Sequence, residues 1–277
     1  LARSAAVKFI RPEVIAGMRP SDIQTLNQRF EHEVQATAAL ESPHTVDIYD
    51  YGVTPEGTFY YVMELLRGID LETLVNRFGP VAPERVVYVL TQACHSLHEA
   101  HSRGLIHRDI KPANLFLCRY GEDCDFVKVL DFGLVKRDRA GDETDPMLTR
   151  EGSITGTPAY MYPEAITGAS PVDQRSDIYS IGCVAYWLLT GQLVFPARTA
   201  LAMLAEHANA KPVPPSQRSE LDIPEALDEI VLACLAKRPE DRPSGAEVLA
   251  ARLADVTFQK PWDNGSARAW WDLHQVA

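Results

Sequence analysis

Apolar and polar positions change their period several times along the chain. Ala5-Ala6-Val7-Lys8-Phe9-Ile10 is apolar and β-branched around a single lysine, which predicts a strand. From Ser21 to Leu40, Leu26, Phe30, Val34 and Leu40 recur with partial helical spacing and predict a helix. Thr58 to Leu65 predicts a second strand. Ile178 to Leu189 is apolar almost throughout. That run is too short to cross a bilayer and suits a helix buried on every side. Pro212-Val213-Pro214-Pro215 marks a loop between helices. The tail from Thr257 to Ala277 carries Trp262, Trp270 and Trp271. The tail either packs on the body of the fold or leads into another domain, and the tryptophan pair reads as a packing anchor rather than a binding box.

Composition narrows the class. A chain of 277 residues can bury a substantial core. Its net charge of −11 argues against nucleic acid or an anionic membrane as the main partner. Five scattered cysteines, an odd number, suit a reducing compartment. Cys118 and Cys124 flank a predicted hairpin turn, with no second ligand pair nearby for a metal. His95, His98 and His101 lie near a helix end and read as packing or solvated residues. The segment shows no signal peptide and no membrane span.

Candidate chemistry is concentrated in His107-Arg108-Asp109-Ile110-Lys111-Pro112-Ala113-Asn114, followed by Asp131-Phe132-Gly133. Two carboxylates, a lysine and an amide at these offsets suit phosphoryl transfer, which needs positioning and charge stabilisation more than covalent help. Mg²⁺ prefers a few hard oxygen ligands plus phosphate oxygens. Asp-Phe-Gly alone is a weak signal, because a turn after a strand produces it readily. The eight-residue run, Asp-Phe-Gly and the downstream Thr157-Pro158-Ala159-Tyr160-Met161-Tyr162-Pro163-Glu164 together are strong, because order and spacing agree.

Taken together these motifs resemble the catalytic domain of eukaryotic-type serine/threonine protein kinases, and most of all the bacterial ones. The resemblance implies an α+β, two-lobe fold: a small β-rich N-lobe lacking its first strands, and a larger, mainly helical C-lobe. It divides the chain into 1–66 (partial N-lobe and hinge), 67–256 (C-lobe) and 257–277 (an extension or the start of a linker). It implies a transferase that moves the ATP γ-phosphate to protein Ser/Thr hydroxyls. Asp109 would take the hydroxyl proton, Lys111 would neutralise the phosphoryl group in flight, and Asn114 and Asp131 would hold Mg²⁺. Thr157 would hold Asp109 and Lys111 through its hydroxyl. Lys8 would hold the α- and β-phosphates and pair with Glu33, with Glu31 as the lesser alternative. Met63 would be the gatekeeper, the backbone of Glu64 and Leu66 would bind the adenine edge, Ala6 and Phe116 would sandwich the ring, and Asp70 would lie near the ribose. Asp177 would brace the catalytic loop, and Arg242 would pair with Glu164.

The same resemblance implies regulation. Arg108 would grip a phosphate on the segment between Asp131 and Glu164. Thr149 ranks first among the acceptors and Ser153 second, ahead of Thr144 and Thr155. The expected partners are protein substrates, with self-association for trans-autophosphorylation. The expected location is the cytoplasm, and bacterial relatives that continue into a transmembrane helix allow a membrane-anchored parent. The chain departs from the family in one respect. Only seven residues precede Lys8, none of them glycine, so the glycine-rich phosphate loop is missing. The expectation is a fragment that begins late in the second strand; the alternative is a pseudokinase or binding scaffold.

Overall fold

The computed structural model describes residues 4–9, 20–55, 57–132 and 157–276, and within these the side chains of 20–27 and 29 are left aside. Ile10, Gly133, Thr144, Thr149, Ser153 and Thr155 lie outside the described residues.

A small lobe is built from β1 (Ala5–Phe9), α1 (Pro20–Ala38), β2 (Ile48–Val53) and β3 (Phe59–Glu64). The strands form an antiparallel sheet in the order β1-β3-β2. Alternation along β3 turns Phe59 and Tyr61 inward, where they meet Phe30 and Val34 of α1 in a small apolar core. The rings of Phe30 and Phe59 lie 4.8 Å apart. The helix predicted over 21–40 and the two predicted strands thus form within two residues of their expected ends.

The large lobe opens with β4 (Gly68–Asp70) and α2 (Leu71–Phe78). β4 joins β5 (Leu115–Tyr120) and β6 (Asp123–Val129) in a second sheet, and β5 and β6 form the hairpin expected between Cys118 and Cys124. The helical body comprises α3 (Pro83–Ser102), the short α4 (Pro163–Thr167), α5 (Gln174–Thr190), α6 (Ala200–Asn209), α7 (Glu225–Cys234) and α8 (Ala246–Ala254). α5 runs through the centre with nearly every side chain buried. Asp173 caps its start, accepting from the Arg175 N–H at 2.8 Å, and left-handed Gly191 ends it. Gly182 lets α7 approach, since a Cβ there would stand 2.7 Å from the Cys234 Cβ. All five cysteines are free and buried.

α6 is tied to α5 through His207, whose Nδ1 accepts from the Tyr179 hydroxyl at 2.8 Å. Burial, and then the adjacent Lys237, bring the His207 imidazole down to about 4. An unfolded chain with the ordinary value of 6.5 binds a proton that the folded chain refuses. The stabilising contribution is therefore complete above pH 6.5 and is lost as pH falls towards 4, reaching about 3 kcal/mol. Replacing His207 with glutamine should flatten the fall of melting temperature across that window; an unchanged slope would assign the pH dependence elsewhere.

The tail packs on the large lobe. α9 (Asn264–His274) lies against β6, and its docking centres on Asp125, which is fully buried. Asp125 accepts from Arg85 Nε (2.8 Å) and Nη2 (2.7 Å), from Trp262 Nε1 (2.9 Å) and from Trp271 Nε1 (2.7 Å). Arg85 also lies over the ring of Trp270 at 3.9 Å. Replacing Asp125 with alanine would leave the buried guanidinium unpaired, at a cost of about 3–5 kcal/mol. Three of the four tryptophans sit at this node, so their emission should shift to the red in that variant. Wild-type emission and melting temperature would remove the node as the anchor.

Candidate active site

The loop before β5 carries the chemistry, and a buried carboxylate on α5 holds it in shape. Asp177 accepts from the backbone N–H of His107 and of Arg108, each at 2.8 Å, and from His101 Nε2 at 2.8 Å. Burial alone would push the Asp177 carboxyl up, but the hydrogen bond from His101 and the backbone bond from His107 outweigh it and hold the carboxyl below its ordinary value. It stays ionised where the backbone needs an acceptor. Arg108 stands at φ 62°, a conformation uncommon for a side-chain-bearing residue, and the bond from its N–H to Asp177 secures it. His107 is completely buried and kept neutral by that burial. It donates from Nε2 to the Leu130 carbonyl (2.8 Å) and accepts at Nδ1 from the Asp109 N–H (3.2 Å). One imidazole thus couples the loop to the residue before Asp131.

Asp109 is oriented from two sides. Lys111 Nζ donates to its Oδ2 at 2.8 Å. Asn114 Nδ2 donates to the same oxygen at 3.2 Å and to the Asp109 carbonyl at 2.8 Å. With its nitrogen so engaged, the Asn114 amide offers its oxygen at the opposite end. Arg108, Asp109, Ile110, Thr157, Tyr160, Met161 and Tyr162 line a shallow opening beside this carboxylate. The chain between Tyr162 and Ala165, both of which line that opening, is anchored by Glu164. Its two oxygens accept from Arg242 Nη1 and Nη2, both at 2.8 Å, and Ser176 Oγ adds a bond at 2.7 Å.

Asp131 follows β6 at φ 60° and faces the small lobe. Its Oδ2 is bonded to Lys8 Nζ and its Oδ1 to the Tyr61 hydroxyl. Burial, and then the charge of Asp131, push the Tyr61 phenol well above its ordinary value, so it remains a donor. Glu33 is half-buried on α1.

Where the lobes join, Met63 pairs across the sheet with Ala6. The Glu64 N–H donates to the Asp47 carbonyl at 3.0 Å, and the Glu64 carboxylate pairs with Lys128 at 2.7 Å. Asp70 caps α2, accepting from Thr73 N (2.8 Å) and Thr73 Oγ1 (2.7 Å). Phe116 lies opposite Asp70 on β5.

A family model described as the protein kinase domain matches residues 2–254. The chain belongs to the protein kinase family. This kinase domain is 38% identical over 243 residues to serine/threonine-protein kinase pkn3 of Myxococcus xanthus, covering 87% of the chain and 44% of that protein. It is 39% identical over 259 residues to PknB of Mycolicibacterium smegmatis, covering 92% of the chain and 39% of that protein. The chain therefore spans about two fifths of the length of these curated relatives. In fold it is similar to the kinase domain of Mycobacterium tuberculosis PknI (TM-score 0.67, 24% identity, 91% of this chain and 84% of that one). It is similar also to Rad53 1–466 in complex with AMP-PNP (TM-score 0.70, 24% identity, 91% and 58%). The two-lobe α+β architecture is that of these kinases, and the relatives point to the bacterial serine/threonine type.

Local motif reading found Asp109, Lys111 and Asn114 because they lie within six residues of one another. It missed His101, read as a packing or solvated residue, which braces Asp177 across 76 positions. It also missed Tyr61, because a tyrosine in an apolar strand carries no sign that its hydroxyl meets an acidic side chain.

Proposed function

We propose that the chain transfers the γ-phosphate of ATP to serine and threonine hydroxyls of proteins, with Mg²⁺ as its metal. The observation that carries this reading is Asp109, fixed by Lys111 and Asn114 at the edge of an opening lined by Thr157, Tyr160 and Met161. From that position Asp109 accepts the proton of the attacking hydroxyl, and Lys111 offsets charge on the moving phosphoryl group. Thr157 lines the same opening, and its hydroxyl is assigned to holding this pair.

The donor set fits Mg²⁺: one carboxylate, Asp131, and one amide oxygen, Asn114, with the remaining positions left to water and phosphate. Bound there, the metal supplies charge stabilisation to the phosphate oxygens. Lys8 serves the α- and β-phosphates, with Glu33 as its partner on α1. Ala6 and Phe116 bracket the adenine, Met63 stands behind it, and the Leu66 backbone and the Glu64 carbonyl meet its edge. Asp70 contributes near the ribose while capping α2.

Arg108 receives an activating phosphate, on Thr149 first and Ser153 second, and copies of the chain phosphorylate one another. Among the described residues no helix is long and apolar enough to cross a membrane. The proposed location is the cytoplasm, with the parent protein joined to a membrane anchor. The test is intact-mass measurement after incubation with Mg-ATP. Mass should rise in steps of one phosphate, with Thr149 carrying the first; no gain in mass would overturn the reading.

A further inference from the structure

β1 and β3 are antiparallel, and their register sets Lys8 directly opposite Tyr61. Directly opposed residues project to the same face of a sheet. Both side chains therefore leave the small lobe towards the same place, and each takes one oxygen of Asp131. The two differ in how firmly they are held. The Lys8 side chain is 47% exposed and can swing to another anion. Tyr61 is 2% exposed and packed with Phe30, Val34 and Phe59, so its ring cannot turn away without opening the core of the small lobe.

We infer that Tyr61 is a positioning residue that sets how readily Asp131 accepts a divalent cation. The inference rests on the reading of Asp131 as a metal ligand. Once phosphates draw Lys8 away, the Tyr61 hydroxyl stays on Oδ1. It occupies one of the lone pairs a metal would use and withdraws charge from the carboxylate. It also keeps Asp131 turned towards the small lobe, on a backbone at φ 60° that tolerates few alternatives. Tyr61 thus raises the cation concentration needed to fill the site without touching nucleotide itself.

The test uses Mn²⁺ as the probe, its free concentration read by electron paramagnetic resonance while the 277-residue chain is titrated in the presence of ADP. Tyr61→Phe removes the donor and keeps the ring. It should bind Mn²⁺ roughly three- to tenfold more tightly, with ADP affinity in EDTA unchanged. Tyr61→Met, which lacks the donor as well, should move Mn²⁺ affinity in the same direction. Asp131→Asn should lose most Mn²⁺ binding, and adding Tyr61→Phe to it should change nothing further. Unchanged or weaker Mn²⁺ binding in both Tyr61 variants, with Asp131→Asn impaired, would overturn the inference alone. Wild-type Mn²⁺ binding by Asp131→Asn would overturn both the inference and the metal-ligand reading.

Discussion

Asp109→Asn will slow phosphoryl transfer by about 10²- to 10⁴-fold, the range expected when a positioned base is removed. The substitution keeps the shape of the side chain but replaces a carboxylate that accepts from Lys111 and Asn114 with a weaker, neutral acceptor. If Asp109 is the base, as proposed, the attacking hydroxyl then has no group to take its proton. The side chain is about one-fifth exposed and its neighbours are polar, so stability should change little. Time courses of phosphate incorporation should separate the two proteins while their melting curves and ADP affinities agree. A variant within tenfold of wild type would show that Asp109 is not the base.

Arg242→Met will lower the melting temperature by about 10 °C. The Arg242 and Glu164 side chains are 0% and 2% exposed, so the variant strands a buried carboxylate, at a cost of about 3–5 kcal/mol. In domains of this size each kcal/mol corresponds to about 2–4 °C. Arg242 also donates to the carbonyls of Arg175 (2.9 Å), Ala236 (2.8 Å) and Lys237 (3.0 Å). Removing Glu164 as well, as Arg242→Met with Glu164→Leu, should therefore recover only part of the loss. The charge penalty disappears, but three carbonyls still lack their donor. Differential scanning calorimetry of the single and double variants decides it. A single variant that melts within about 2 °C of wild type would mean that water reaches the pair.

Much of the architecture was legible because neighbours in the chain encode it. The apolar run from Ile178 marked a buried helix, and α5 is one. The apolar, β-branched run around Lys8 and the segment from Thr58 to Leu65 marked strands, and the two pair with each other. Asp109, Lys111 and Asn114 sit on one loop, so their mutual bonds span at most five positions. The joining of Arg242 to Glu164, 78 positions apart, was legible only through resemblance to a family, since nothing local to either residue names its partner.

Other features depend on how distant segments come to rest. Asp131 meets Lys8 across 123 positions and Tyr61 across 70, and the strand register together with the approach of the two lobes determines both contacts. The tail carried tryptophans that called for burial, but their target, Asp125 with Arg85, sits on a hairpin and a helix far upstream. Backbone periodicity and loop chemistry are short-range properties and can be read along the chain. The partner of a buried charge is a long-range property: it is selected by which groups the packed core shields from water together, and no linear pattern records that choice.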